Sequence, residues 1–93
     1  MIPFQFYYND QYYKGKCMIS GSGNHGFFWC FLESDELTRQ VGQCLIFSFS
    51  NGTLMPTKVY DPAFDALIEA VRVAVLPLYH REEGRRERWG QGR

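Results

Sequence analysis

Residues 44–58 read CLIFSFSNGTLMPTK, two alternating apolar segments on either side of Asn51-Gly52. Asparagine and glycine both tolerate the positive φ of a type I′ turn, so the pair predicts a two-residue β-hairpin. The turn sorts the side chains by the period-two rule. Leu45, Phe47, Phe49 and Leu54 fall on one face, and Ser48, Ser50 and Thr53 fall on the other. Pro56 has no ladder donor, which places the last strand at a sheet edge.

Working outward, Phe4 to Tyr8 and Tyr12 to Ile19 alternate in the same way around Asn9-Asp10. With those two as the loop, Phe6 faces Tyr13, Tyr7 faces Tyr12 and Phe4 faces Gly15. Phe4, Phe6, Tyr8, Tyr13, Cys17 and Ile19 then share one face. Gln5, Tyr7, Tyr12, Lys14 and Lys16 share the other, a mixture that a buried core would not accept. Phe27 to Leu32 (FFWCFL) is apolar on both registers, which predicts a central strand covered on both sides. The stretch Ser20 to Gly26 before it is expected to be a flexible Gly-Ser loop.

Two helices complete the pattern. Ser34 is placed to cap a short helix near 34–41, with Asp35 and Glu36 in its first turn and Gly42 at its end. Asp61-Pro62 starts the second, along which Phe64, Leu67, Ile68, Val71, Ala74, Val75 and Leu78 form one apolar stripe. Pro77 predicts a stop near Leu76 or a kink. The sum is an α+β chain: an antiparallel sheet of about five strands, two hairpins plus a central strand, with the C-terminal helix on one face. One domain is expected over 1–80, followed by a flexible Arg/Glu/Gly-rich tail over 81–93.

Composition narrows the function classes. At 93 residues with ten basic and ten acidic side chains, the chain has no net charge to draw it to nucleic acid or anionic membrane. Its 45% hydrophobic content excludes wholesale disorder. No stretch approaches the about 18 apolar residues of a membrane span, and the N-terminus lacks the pattern of a secretory signal. A cytoplasmic protein is expected. Cys17, Cys30 and Cys44, odd in number and without CxxC spacing, are expected to be reduced core thiols.

Constellations that suggest chemistry have plainer explanations. Gly21-Ser22-Gly23-Asn24-His25-Gly26 matches the dinucleotide-binding pattern by letter, but a strand pattern follows where a helix is needed. The cysteines are too far apart for ordinary zinc pairs, and neither His25 nor His80 sits in a recognisable Cys-His motif. Glu33, Asp35 and Glu36, and Asp61 with Asp65, are carboxylates suited to helix starts. No enzymatic activity, cofactor or metal is therefore expected.

The surface that stands out carries Tyr7, Tyr12, Lys14 and Lys16, joined by Trp29 or Phe28 from a neighbouring strand. Eight Phe, six Tyr and two Trp exceed what one helix on one sheet face covers, so a hydrophobic strip is expected on the second face. The tail adds Arg85, Arg86, Arg88 and Trp89 as further contact residues. These features predict a small protein-interaction module, an adaptor, regulator or inhibitor, that forms a homodimer or binds a protein partner through this face. The alternative is a single-stranded nucleic-acid-binding protein using the same face and the arginine tail.

Overall fold

In the computed structural model, which describes the backbone of residues 1–22 and 25–91 and the side chains of 1–21 and 25–79, both predicted turns form. Asn9 and Asp10 take φ of 52° and 64°, and Asn51 and Gly52 take 52° and 85°. Four positive values at two adjacent pairs are the signature of type I′ turns, whose twist matches that of the strands they join. They connect β1 (Ile2–Tyr8) to β2 (Gln11–Ser22), and β4 (Cys44–Ser50) to β5 (Thr53–Pro56). Between them lie β3 (His25–Leu32) and the short helix α1 (Asp35–Val41). A 3₁₀ turn over Pro62–Phe64 leads into α2 (Asp65–Gln91).

The strands form one antiparallel meander in the order β1-β2-β3-β4-β5. Its registers include Phe6 opposite Tyr13, Tyr7 opposite Tyr12, and Phe49 opposite Leu54, as the turns require. The chain is thus an α+β fold, with the sheet curled around α2 so that the helix reaches both edge strands. Helix capping follows the sequence. Ser34 Oγ accepts from the Leu37 N–H, and Asp61 Oδ1 accepts from the Ala63 N–H at 2.8 Å.

The core lies between α2 and the concave sheet face. Phe4, Phe6, Cys17, Phe28, Cys30, Leu45, Phe47, Phe49 and Leu54 meet Leu67, Val71, Val75 and Leu78 there. Tyr79 closes one end, its ring centroid 4.6 Å from that of Phe49 and 5.9 Å from that of Phe28.

Three sequence expectations need correction. β3 is central, but only Phe28, Cys30 and Leu32 are buried, whereas Trp29 and Phe31 are half-buried and Phe27 is exposed. With one long helix, the sheet is covered on one face only. The supposed Gly-Ser loop is mostly strand, since Gly21 pairs with Gly26 and Ser22 with His25. Glycine serves close approach here: a Cβ at Gly26 would lie 2.6 Å from Phe49 Cζ. Of the two courses open at Pro77, stopping or running on, the helix runs on. Leu78 and Tyr79 are buried just past the proline, and their burial, worth about 1.5–3 kcal/mol each, offsets the roughly 3 kcal/mol that an interior proline costs. The bond it removes would have run to the carbonyl of Val73, an exposed residue, on the side where water replaces it. Finally, Cys44 faces outward and is only half-buried, because it shares its register with Ile46 and not with Leu45. The predicted tail over 81–93 falls where side chains lie outside the described residues, although the backbone of α2 extends to Gln91.

Gly15 tests this packing without a positive φ. A Cβ there would lie 2.6 Å from Phe4 Cζ and 2.8 Å from the Phe31 carbonyl oxygen, which is backbone and cannot swing away. Gly15→Ala is expected to lower stability in a urea melt by about 1–3 kcal/mol through overpacking. Gly52→Ala meets no atom and should cost only the left-handed backbone penalty of about 1–2 kcal/mol.

Candidate interaction face

The convex face of the sheet carries the odd-numbered side chains of β1 and β3 and the even-numbered ones of β2 and β4. Pairing fixes its layout in rows: Tyr7 beside Tyr12, Gln5 beside Lys14, Lys16 beside Phe31, Met18 beside Trp29 beside Ile46, and Phe27 beside Ser48 beside Met55. All five sheet residues singled out from the sequence, Tyr7, Tyr12, Lys14, Lys16 and Trp29, therefore share one face. They do not form one cluster. Six residues separate Tyr12 from the row of Met18 and Trp29, about 20 Å at the usual rise.

At one end Tyr7 and Tyr12 pack edge to face, with ring centroids 4.9 Å apart at 64°. The Tyr7 hydroxyl donates to Asp10 Oδ1 at 3.3 Å. At the other end Trp29 Nε1 donates to Ser20 Oγ at 3.2 Å, and the Phe27 ring lies 6.4 Å from the Trp29 ring. Lys14 and Lys16 stand between the two ends, and the ion pair found among the described residues, Arg72 with Glu69, is on α2 instead. Phe28, the alternative to Trp29, is fully buried and belongs to the core. Arg85, Arg86 and Trp89 lie where side chains are outside the described residues.

Much of the apolar character comes from residues that the sequence reading left out. Met18 and Phe27 are each 45% exposed and Met55 is 58% exposed, while Phe31 and Ile46 are half-buried among them. The signal was present. Once Leu45, Phe47 and Leu54 are assigned inward by the Asn51-Gly52 turn, Ile46 and Met55 must point outward.

The other candidate chemistries are separated by the same alternation. Cys30 and His25 are on opposite faces of β3, so they cannot act as a pair. Burial, with Cys17 and Cys44 adding to it, pushes the Cys30 thiol far up from its ordinary value, and burial also raises Cys44. Both favour the unreactive thiol form. Asp35 and Glu36 sit in the first turn of α1 and Asp61 caps the 3₁₀ turn, positions that charge and hydrogen bonding account for. Among the described residues no three His, Cys, Asp or Glu side chains gather as metal ligands would, and no helix is long and apolar enough to cross a membrane.

No protein-family model matches this chain, and no curated protein and no solved structure shows significant similarity to it.

The thiols provide a check on which face is which. At about pH 8, Ellman's reagent is expected to label Cys44 first and Cys17 and Cys30 only on unfolding; native-rate labelling of Cys30 would contradict the core assignment. A raised folded-state pKa contributes stability that is complete below the unfolded value and declines above it. With an ordinary thiol value of 9.0, the urea midpoint should fall as pH rises from there.

Proposed function

We propose that the chain is a non-enzymatic, cytosolic protein-interaction module whose convex sheet face docks another protein. The observation that carries this is the exposure of Met18, Phe27 and Met55 around Trp29 on a face over which, among the described residues, neither helix packs. Such side chains contribute little to folding while they remain in water, but become favourable once a partner desolvates them. Charge sets the kind of partner. Lys14 and Lys16 have no carboxylate within ion-pair range among the described residues, so the complementary surface is apolar at its centre and acidic where it meets β2. None of the three cysteines is in a disulfide among the described residues, which fits a reducing compartment.

The single-stranded nucleic-acid reading has less support. Tyr7 and Tyr12 pack edge to face against each other, which covers part of the ring surface that a base would stack on.

Affinity purification with a lysine-reactive cross-linker tests the proposal. Wild-type chain is expected to yield protein partners cross-linked through Lys14 or Lys16, whereas a Phe27→Ser and Trp29→Ala double variant should lose them, with affinity down by roughly 30-fold or more as for a buried aromatic anchor. Far-ultraviolet circular dichroism confirms that the variant is folded. Recovery of the same partners by the folded double variant would overturn the docking face, and partners released by nuclease would favour the nucleic-acid reading.

A further inference from the structure

The two edges of the sheet are not alike. β5 is four residues long and ends on Pro56, so it offers little to a neighbouring chain. β1 is seven residues long, IPFQFYY, and carries no charge. Its outer hydrogen-bonding groups can be assigned from the turn. In a two-residue I′ hairpin the flanking pair, here Tyr8 and Gln11, exchanges both backbone bonds. By the antiparallel alternation Phe6 and Phe4 also bond to β2, and Tyr7, Gln5 and Pro3 turn their backbone groups to the free edge. Pro3, which has no N–H, thus sits where its missing donor costs the sheet nothing.

Beside this edge lies an open groove of about 600 Å³ lined by Gln5, Phe6, Tyr7, Ala70 and Val73 among others. Gln5 and Tyr7 point to the convex face and Phe6 to the core, so a groove that touches all three runs along the strand's free edge. The far wall is low. α2 turns Ala66, Ala70 and Ala74 toward it, together with Glu69 and the exposed Val73, so small side chains form most of that wall.

We infer that β1 pairs antiparallel with β1 of a second copy, about a two-fold axis at Gln5. The occupant follows from the edge itself. Unpaired N–H and C=O groups at strand spacing demand an extended backbone, and this edge complements itself. On that axis the two Gln5 residues exchange both backbone bonds, and each Tyr7 N–H donates to the Pro3 carbonyl of the other copy. Every outward N–H from Pro3 to Tyr7 is then used, and each Tyr7 carbonyl, opposite a proline with no N–H, is left to water. β1 carries no charge of its own, and the charged residue lining the groove, Glu69, is already paired with Arg72.

Area sets the strength. Seven residues span about 24 Å at roughly 3.4 Å each. With the groove wall this gives on the order of 500 Å² per copy, below the roughly 800 Å² of a standard stable interface. The dimer is therefore a reversible one, with a micromolar dissociation constant. It uses a different surface from the docking face proposed above, and the two succeed or fail separately.

Sedimentation equilibrium of the full chain at about 200 µM, well above a micromolar dissociation constant, tests the pairing. The expected mass is near twice 10.9 kDa. Gln5→Pro removes an outward N–H without touching the bonds to β2, and should weaken the dimer by about tenfold or more. Gln5→Lys and Gln5→Glu place like charges against each other on the axis and should each weaken it similarly, while an equimolar mixture of the two should restore a dimer. Phe27→Ser, on the convex face, should leave the mass unchanged. A monomeric wild type at this concentration would overturn the inference. So would a dimer indifferent to both charged Gln5 variants, or one that Phe27→Ser dissolves. Because the charged side chains point to solvent, they test the axis even where Gln5→Pro fails to fold.

Discussion

One helix has to serve a five-stranded sheet with two faces, and everything else in the molecule follows from which face it takes. The choice is made by the two I′ turns. A slip of one residue in either hairpin would send Phe4 and Phe6, or Phe47 and Phe49, to the convex side and bring Gln5 or Ser48 inward. The positive φ values at Asn9, Asp10, Asn51 and Gly52 prevent that slip, so all four phenylalanines meet α2. The sheet curls to bring both edges to the helix, and its outer face is left without cover.

What could be read from the sequence was local chemistry. Asn9-Asp10 and Asn51-Gly52 determine register through backbone geometry alone, and Ser34 and Asp61 cap through a side-chain oxygen a few bonds away. None of these depends on what packs elsewhere. Apart from Cys44, whose outward register the Asn51-Gly52 turn already implied, what was misread or left open turned on tertiary context. FFWCFL is apolar on both registers, and that pattern cannot distinguish a strand buried on both sides from one with an apolar face in water. Gly21 and Gly26 resemble loop glycines, yet their pairing across β2 and β3 uses the absent Cβ for close approach. At Pro77 local chemistry leaves stopping and running on both open, and burial of Leu78 and Tyr79 beyond it decides for the second. The candidate face was legible where hairpin register reached it, at Tyr7, Tyr12, Lys14 and Lys16. The same register sends Ile46 and Met55 outward, but that Met18, Phe27 and Met55 stay exposed there depends on neither helix covering them among the described residues.

The core and the convex face therefore stand in different relations to stability. Phe28 and Phe47 are almost fully removed from water, and truncating either opens a cavity that costs about 3–5 kcal/mol. Phe27, adjacent in sequence, is 45% exposed. A hydrophobic side chain that stays in water in both folded and unfolded states contributes little to the difference between them. Folding accounts for the first pair and leaves the second residue, with Met18 and Met55, unexplained. It is on their exposure that the proposed docking face rests.

Edge pairing and face docking are compatible because they use perpendicular directions. Hydrogen bonds at β1 run in the plane of the sheet, whereas the convex side chains project out of it. A two-fold axis normal to the sheet at Gln5 keeps both convex faces on the same side and joins them into one platform of twice five strands. The Tyr7 and Tyr12 pairs then lie toward the seam, with Trp29 and its apolar neighbours on either flank. A partner with two matching patches would engage the second as an intramolecular event, at an effective concentration set by the rigid seam and not by diffusion. Weak pairing at the edge is enough for this, since a partner bound across both halves would itself hold the two copies together.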